Sequence, residues 1–165
     1  MLILYIFAKK MIQRKQSIYL LIASLLTGVL LITHVADFIS KEANYILNFK
    51  GIYIIENGNV QSDAIFAAYP LMLLIPLSTL ISIVTILLFR KRILQIRLCG
   101  INVALQAGIT ASIFYLGYAG AKNLEAVVSY QYVVVFPLIA LILTILAIIS
   151  IGKDEALVRS LNRIR

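Results

Sequence analysis

Polar and apolar positions alternate on a long scale in this chain. Residues 17–36, 64–89, 98–121 and 127–151 hold 20, 26, 24 and 25 residues with no Asp, Glu, Lys or Arg, and the charged residues fall between them. An α-helix rises about 1.5 Å per residue, so each run is long enough to cross a hydrocarbon core about 30 Å thick. The pattern predicts an all-α membrane protein, a four-transmembrane-helix bundle forming a single integral membrane domain over residues 1–165.

Composition agrees. The chain is 62% hydrophobic and 13% charged with a mean hydropathy of +0.99, whereas soluble proteins are about half apolar and about a quarter charged. A water-soluble enzyme is excluded, and 165 residues leave no room beside four spans for a separate catalytic domain. One cysteine, Cys99, and one histidine, His34, rule out an internal disulfide framework and a structural zinc site. The expectation is therefore no metal and no cofactor.

The net charge of +8 does not indicate nucleic acid, because the basic residues sit in the gaps between apolar runs. The segments on one side of the predicted bundle carry 12 Lys and Arg, and those on the other carry 3. Short segments rich in Lys and Arg stay cytoplasmic. Both termini and the loop with Arg90, Lys91, Arg92 and Arg97 are thus expected inside (N-in/C-in), with loops 37–63 and 122–126 outside. Cys99 falls at the inner edge, where thiols remain reduced. The first apolar run exceeds the roughly 7–15 residues of a signal peptide and has no A-x-A-like site after it, so it is read as retained. Residues 1–10 are too short to cross; they lie at the interface or precede a start at Met11.

Within loop 37–63, Ile52-Tyr53-Ile54-Ile55, then Glu56-Asn57-Gly58-Asn59, then Val60-Gln61 is the pattern of a small β-hairpin with an Asn-Gly turn. A lone hairpin is marginal in water, so it either caps the bundle or docks a partner. Residues 152–165 predict a short amphipathic C-terminal helix. Gly152 breaks it from the last span, Leu157, Leu161 and Ile164 lie opposite Arg159 and Arg163, and Glu155 and Arg159 stand four apart. This helix anchors the tail or serves as a handle for a partner. The candidate contacts for a partner or for anionic lipid head groups are Arg90, Lys91, Arg92, Arg97, Lys153, Arg159, Arg163 and Arg165.

Ionisable side chains within a membrane mark ion and proton pathways, and the spans carry none at mid-depth. His34 and Asp37, three apart at the outer end of span one, can pair. Span three is the most patterned. Asn102, Gln106 and Thr110 recur every four residues on one face, and Ala104, Gly108 and Ser112 recur on the other. Small residues let helices approach, and amides bond between helices, so this span is expected to be the buried one. Its polar face is either packing or a ligand pathway. Pro76 and Pro137 are expected to kink spans two and four, with Pro70 opening span two. Tyr115, Tyr118, Tyr130 and Tyr132 form an aromatic belt at the outer interface. No G-x-S-x-G, Walker loop or H-E-x-x-H motif occurs, and no internal repeat.

Three stretches together resemble a known family. They are Met11-Ile12-Gln13-Arg14-Lys15-Gln16-Ser17-Ile18-Tyr19-Leu20, then Gln95-Ile96-Arg97-Leu98-Cys99-Gly100-Ile101-Asn102, and the closing Lys153-Asp154-Glu155-Ala156-Leu157-Val158-Arg159-Ser160-Leu161-Asn162-Arg163-Ile164-Arg165. The family consists of small Bacteroidota membrane proteins known as domain of unknown function 4293. Asn162 stands where the family pattern has Asp. The resemblance covers nearly the whole chain from Met11. It implies a four-helix, multi-pass protein of the inner (cytoplasmic) membrane of a Gram-negative bacterium, with loop 37–63 in the periplasm, and it implies no activity.

The expected role is that of a non-enzymatic accessory or assembly component of a larger membrane complex. Its partners are the lipid bilayer, anionic head groups, and an unidentified membrane protein or further copies of itself, with no nucleic acid. The alternative is a small carrier or lipid-handling protein that uses the polar face of span three. An enzyme supplying only part of an active site through His34 is the third class.

Overall fold

The computed structural model describes residues 15–40, 43–56, 59–61, 64–89 and 91–162, with backbone alone at 59 and 157–162. In chain order the elements are α1 (Lys15–Val29), β1 (Ala36–Ile39), β2 (Asn44–Leu47), β3 (Gly51–Glu56), β4 (Asn59–Val60), β5 (Phe66–Ala67), α2 (Tyr69–Leu87), α3 (Arg92–Asn123), β6 (Val127–Tyr130), a 3-10 turn (Tyr132–Val135) and α4 (Phe136–Asn162). The protein is mostly helical, but a six-stranded antiparallel sheet joins the helices where a single small β-hairpin was expected beside an all-α bundle.

Three segments among the described residues are long and apolar enough to cross a membrane: Tyr69–Leu87, Arg92–Asn123 and Tyr132–Ala156. α1 packs against α2 and α4, and α3 packs against the same two helices. Each helix buries a narrow stripe with helical spacing, such as Leu71, Ile75, Ser78, Ser82 and Thr85 on α2. The exposed sides carry large apolar residues, Leu73, Leu80, Ile101 and Ile142 among them. A soluble bundle has the opposite polarity, with polar residues outward. Apolar exposure on this scale suits lipid.

Several expected boundaries shift. The first helix stops at Val29 and does not run to residue 36. Leu31 and Ile32 donate to Gly28 and Val29 carbonyls at 3.0 and 3.1 Å, tightening the last turn, and Ala36 already pairs with Leu47 and Tyr130. The β-branched run Ile32, Thr33 and Val35 favours extended backbone there. The run 64–89 begins with strand β5, and its helix opens at Tyr69 with Pro70 in the first turn, where the missing N–H costs nothing. Pro76 lies inside α2, which continues through it. The run 127–151 starts as strand β6, so Pro137 sits at the beginning of α4 rather than at a mid-span kink. α4 passes Gly152 without a break and continues to Asn162. The separate tail helix is therefore an extension of the last apolar helix. A helical glycine costs only about 1 kcal/mol, and Arg92 of α3 donates to the Asp154 carbonyl at 2.9 Å, holding the extension in place. α3 is longer than expected at both ends and is not enclosed, since Ile101, Phe114, Tyr115 and Tyr118 on it are exposed.

The sheet runs β4-β3-β2-β1-β6, and β5 pairs with β3. The predicted hairpin is its edge: Ile55 pairs with Val60 and Glu56 with Asn59, around Asn57 and Gly58, which lie outside the described residues. β2 and β3 are joined by a turn in which Asn48 Oδ1 accepts from the Lys50 and Gly51 amides at 2.9 and 3.1 Å. β1 and β6 pair Phe38 with Val128 and Ile39 with Val127, tying the first long loop to the connection before α4. Ala36, Phe38, Leu47 and Ile52 are fully or almost fully buried. They form one core with Leu30, Leu71, Ile75, Ile109 and Ile113 of the helices. The sheet thus covers one end of the helices. The opposite end carries exposed Lys15, Lys91, Arg97 and Lys153.

Candidate functional site

The buried stripes of the helices are not uniform along their length. Toward the sheet they are mostly apolar, with Thr27 the buried polar residue of α1 there; toward the basic end polar side chains become frequent, with Gln16, Ser17, Ser78, Ser82, Thr85, Gln95, Asn102, Gln106 and Thr144 all buried. Helical periodicity places Gln95, Asn102 and Gln106 on one side of α3, where they meet hydroxyls from α2 and α4.

Asn102 is 1% exposed and fully engaged. Ser78 Oγ donates to its Oδ1 at 2.7 Å, and its Nδ2 donates to Ser82 Oγ at 2.8 Å. Two hydroxyls one helical turn apart on α2 thus hold one amide of α3. Gln106 is less well served. Thr144 of α4 has a single proton, donated to the Ala140 carbonyl at 2.8 Å, and stands 3.3 Å from Gln106 Oε1. Gln106 Nε2 has no partner. Thr110, half-buried, donates to the Gln106 carbonyl at 3.0 Å within its own helix. Gln95 Nε2 donates to the Thr85 carbonyl at 2.9 Å, capping the end of α2, while its Oε1 has no partner. Both polar atoms of the Gln16 side chain and the Ser17 hydroxyl are likewise buried without one.

Of the small-residue row, Ala104 is exposed and Gly108 and Ser112 are half-buried. A Cβ on Gly108 would make ordinary contact with Leu74 Cδ1 at 3.5 Å, so this row does not bring two backbones together. The close approaches lie further along the same helix, at Gly117 and Gly120. A Cβ at Gly117 would overlap the Tyr130 hydroxyl, and one at Gly120 would come within 2.9 Å of Ile52 Cδ1 and Phe38 Cζ. Their spacing was visible in the sequence, but their partners in the sheet were not.

The basic candidates are dispersed. Lys91 stands at the N-cap of α3, and Arg97 and Lys153 are exposed. Arg92 is half-buried, and besides the Asp154 carbonyl it meets Glu155 at 3.7 Å. Glu155 thus reaches across to α3; the pair expected with Arg159 along its own helix involves a side chain outside the described residues. Arg90, Arg163 and Arg165 lie outside the described residues, and so does the side chain of Arg159. At the sheet end, His34 Nε2 lies 3.5 Å from Asp37 Oδ1, and Gln131 Nε2 donates to the other Asp37 oxygen. The pair therefore ties the start of β1 to the end of β6. A pocket of about 160 Å³ beside it is lined by residues including Ile32, His34, Ile46 and Phe49. Tyr115, Tyr118 and Tyr132 are exposed at this end of the helices. Among the described residues no group of three His, Cys, Asp or Glu is placed to hold a metal.

The sequence matches, over residues 12–164, the family described as Domain of unknown function (DUF4293). A comparison with curated proteins gives no match.

Proposed function

We propose a non-enzymatic role for this chain, which belongs to the family of domain of unknown function 4293: an accessory or assembly component of a larger membrane system. The observation that carries this reading is the engagement of Asn102. Its amide is held at both ends by Ser78 and Ser82, so the most polar point of the α3 row acts as a fastening between helices rather than as a passage for solute.

In this proposal four helices cross the bacterial inner membrane, with both termini in the cytoplasm and the sheet in the periplasm. The exposed Lys15, Lys91, Arg97 and Lys153 at the end away from the sheet support that orientation. They suit anionic head groups, each contributing on the order of 1 kcal/mol near an anionic leaflet. The extension of α4 beyond Gly152 then projects toward the cytoplasm as a handle for a partner protein or a further copy of the chain.

The test compares two changes by native electrophoresis of gently solubilised membranes. Truncation after Gly152 is expected to release the chain from its assembly, while Asn102→Leu with Gln106→Leu leaves the assembly intact. The reverse outcome, an intact assembly after truncation with loss of solute or lipid movement in the double substitution, would establish the carrier reading instead. The unpartnered Nε2 of Gln106 is the observation that favours that second reading.

A further inference from the structure

Near the basic end, Leu20, Cys99, Ala147 and Ile151 form a small apolar cluster separate from the main core. One helical turn further toward that end, α1 presents Gln16 with Ser17 beside it, and α3 presents Gln95. These residues are 2%, 6% and 0% exposed. Gln16 Oε1 and Nε2, Ser17 Oγ and Gln95 Oε1 all lack a partner. Buried polar groups are almost always hydrogen-bonded, and an unmatched one costs about 1–3 kcal/mol. Gln16 and Gln95 each lie four residues from Leu20 and Cys99, which share the apolar cluster, so the four atoms stand at one depth on two helices and are open to a hydrogen-bonding ligand.

We propose that this layer binds a small uncharged solute that both donates and accepts hydrogen bonds, of the primary-amide type. The chemistry of the four groups selects it. Two amide oxygens accept, one amide nitrogen donates, and a hydroxyl does either, which matches a solute with two donor hydrogens and a carbonyl. Neither ionic class is served. Among the described residues, the half-buried cation of this end is Arg92, which is committed to Glu155 and the Asp154 carbonyl. An ion brought into the layer therefore meets neutral groups and loses its hydration. The apolar cluster closes the layer on its inner side. This goes beyond the accessory role and holds whether the protein works alone or in an assembly.

The test is alkylation of the purified full-length protein in mild detergent. Ser17→Cys in a Cys99→Ser background is treated with iodoacetamide, an uncharged amide, or with iodoacetate, an anion of similar size. Lys153→Cys in the same background is the exposed reference, and native Cys99 is the buried one. Ser17→Cys is expected to favour iodoacetamide over iodoacetate by about tenfold relative to the exposed reference, as exclusion of a charge from a desolvated layer requires. Acetamide is expected to protect it, and Gln16→Leu to abolish both the preference and the protection. Gln95→Cys gives the same readout where Ser17→Cys does not fold. Reaction as slow as at Cys99, equal preference at both positions, or the absence of protection by acetamide would each overturn the proposal. None of these outcomes depends on the presence of a partner protein, so this test and that of the accessory role fail separately.

Discussion

Phe38 of β1 rests its ring on Gly120 of α3, so close that a Cβ at residue 120 would stand 2.9 Å from Phe38 Cζ. Phe38 is fully buried at this contact, and Ile52 of β3 reaches the same glycine. The sheet is thus seated on the helices through a position where only hydrogen fits.

Substitution at that seat is the first prediction. Gly120→Val forces Phe38 and Ile52 outward and is expected to lower stability by about 1–3 kcal/mol, the usual cost of overpacking a core, with Gly120→Ala less severe. Thermal unfolding in detergent micelles measures it. An unchanged midpoint for Gly120→Val would mean that the sheet is not seated there.

The fastening at Asn102 gives a second prediction. Interhelical hydrogen bonds in membranes average about 0.6 kcal/mol, so Asn102→Leu, which removes two, is expected to cost about 1 kcal/mol. Ser78→Ala and Ser82→Ala should each cost about half as much, and in the Leu background neither should cost anything further. Full additivity in this cycle, measured by reversible unfolding in mixed micelles, would contradict the shared amide.

These two contacts mark how far the sequence was legible. The long apolar helices could be read directly, because an uncharged run of 24 or more residues has few other uses. The edge hairpin could be read from Asn57-Gly58. β1 and β6 could not, because Ala36–Ile39 starts at the last residue of one apolar run and Val127–Tyr130 opens another whose length resembles a span, and their pairing joins residues distant in sequence with no local signal. The turn at Asn48 was legible in principle, since Asn followed by Gly three positions later is turn chemistry. Of the polar row, the burial of Asn102 and Gln106 follows from periodicity, but their hydroxyl partners on α2 and α4 depend on which helices are neighbours. Gln16 and Ser17 were read only as part of a resemblance and the start of a span; nothing local separates a buried glutamine from an interfacial one.

The end of α3 supplies a third prediction. Ala126 N–H donates to the Ala121 carbonyl at 3.0 Å, and Glu125 between them has φ of 46°. This is a left-handed helix stop of the Schellman type, where glycine is the usual residue. Glu125→Gly removes the Cβ strain and is expected to raise stability by about 0.5–1 kcal/mol, read as a higher unfolding midpoint. A lower midpoint would show that the Glu125 side chain makes a contribution larger than its strain.

Arg92 supplies a fourth. Its contacts with the Asp154 carbonyl and Glu155 bind the start of α3 to the extension of α4. For a partly exposed pair the contribution is about 0.5–1 kcal/mol. Arg92→Gln is therefore expected to accelerate amide hydrogen exchange over residues 153–156 about two- to fivefold while leaving residues 140–147 unaffected. Uniform acceleration along α4 would contradict a local clamp.

The accessory role is tested most directly by purifying the tagged protein from its native membranes in mild detergent and mapping lysine cross-links by mass spectrometry. The account predicts one partner protein in near-stoichiometric amount, cross-linked to Lys153 and Lys91 at the basic end. A chain that runs alone or only with copies of itself, carrying a bound solute or lipid and no cross-linked partner at those lysines, would contradict it.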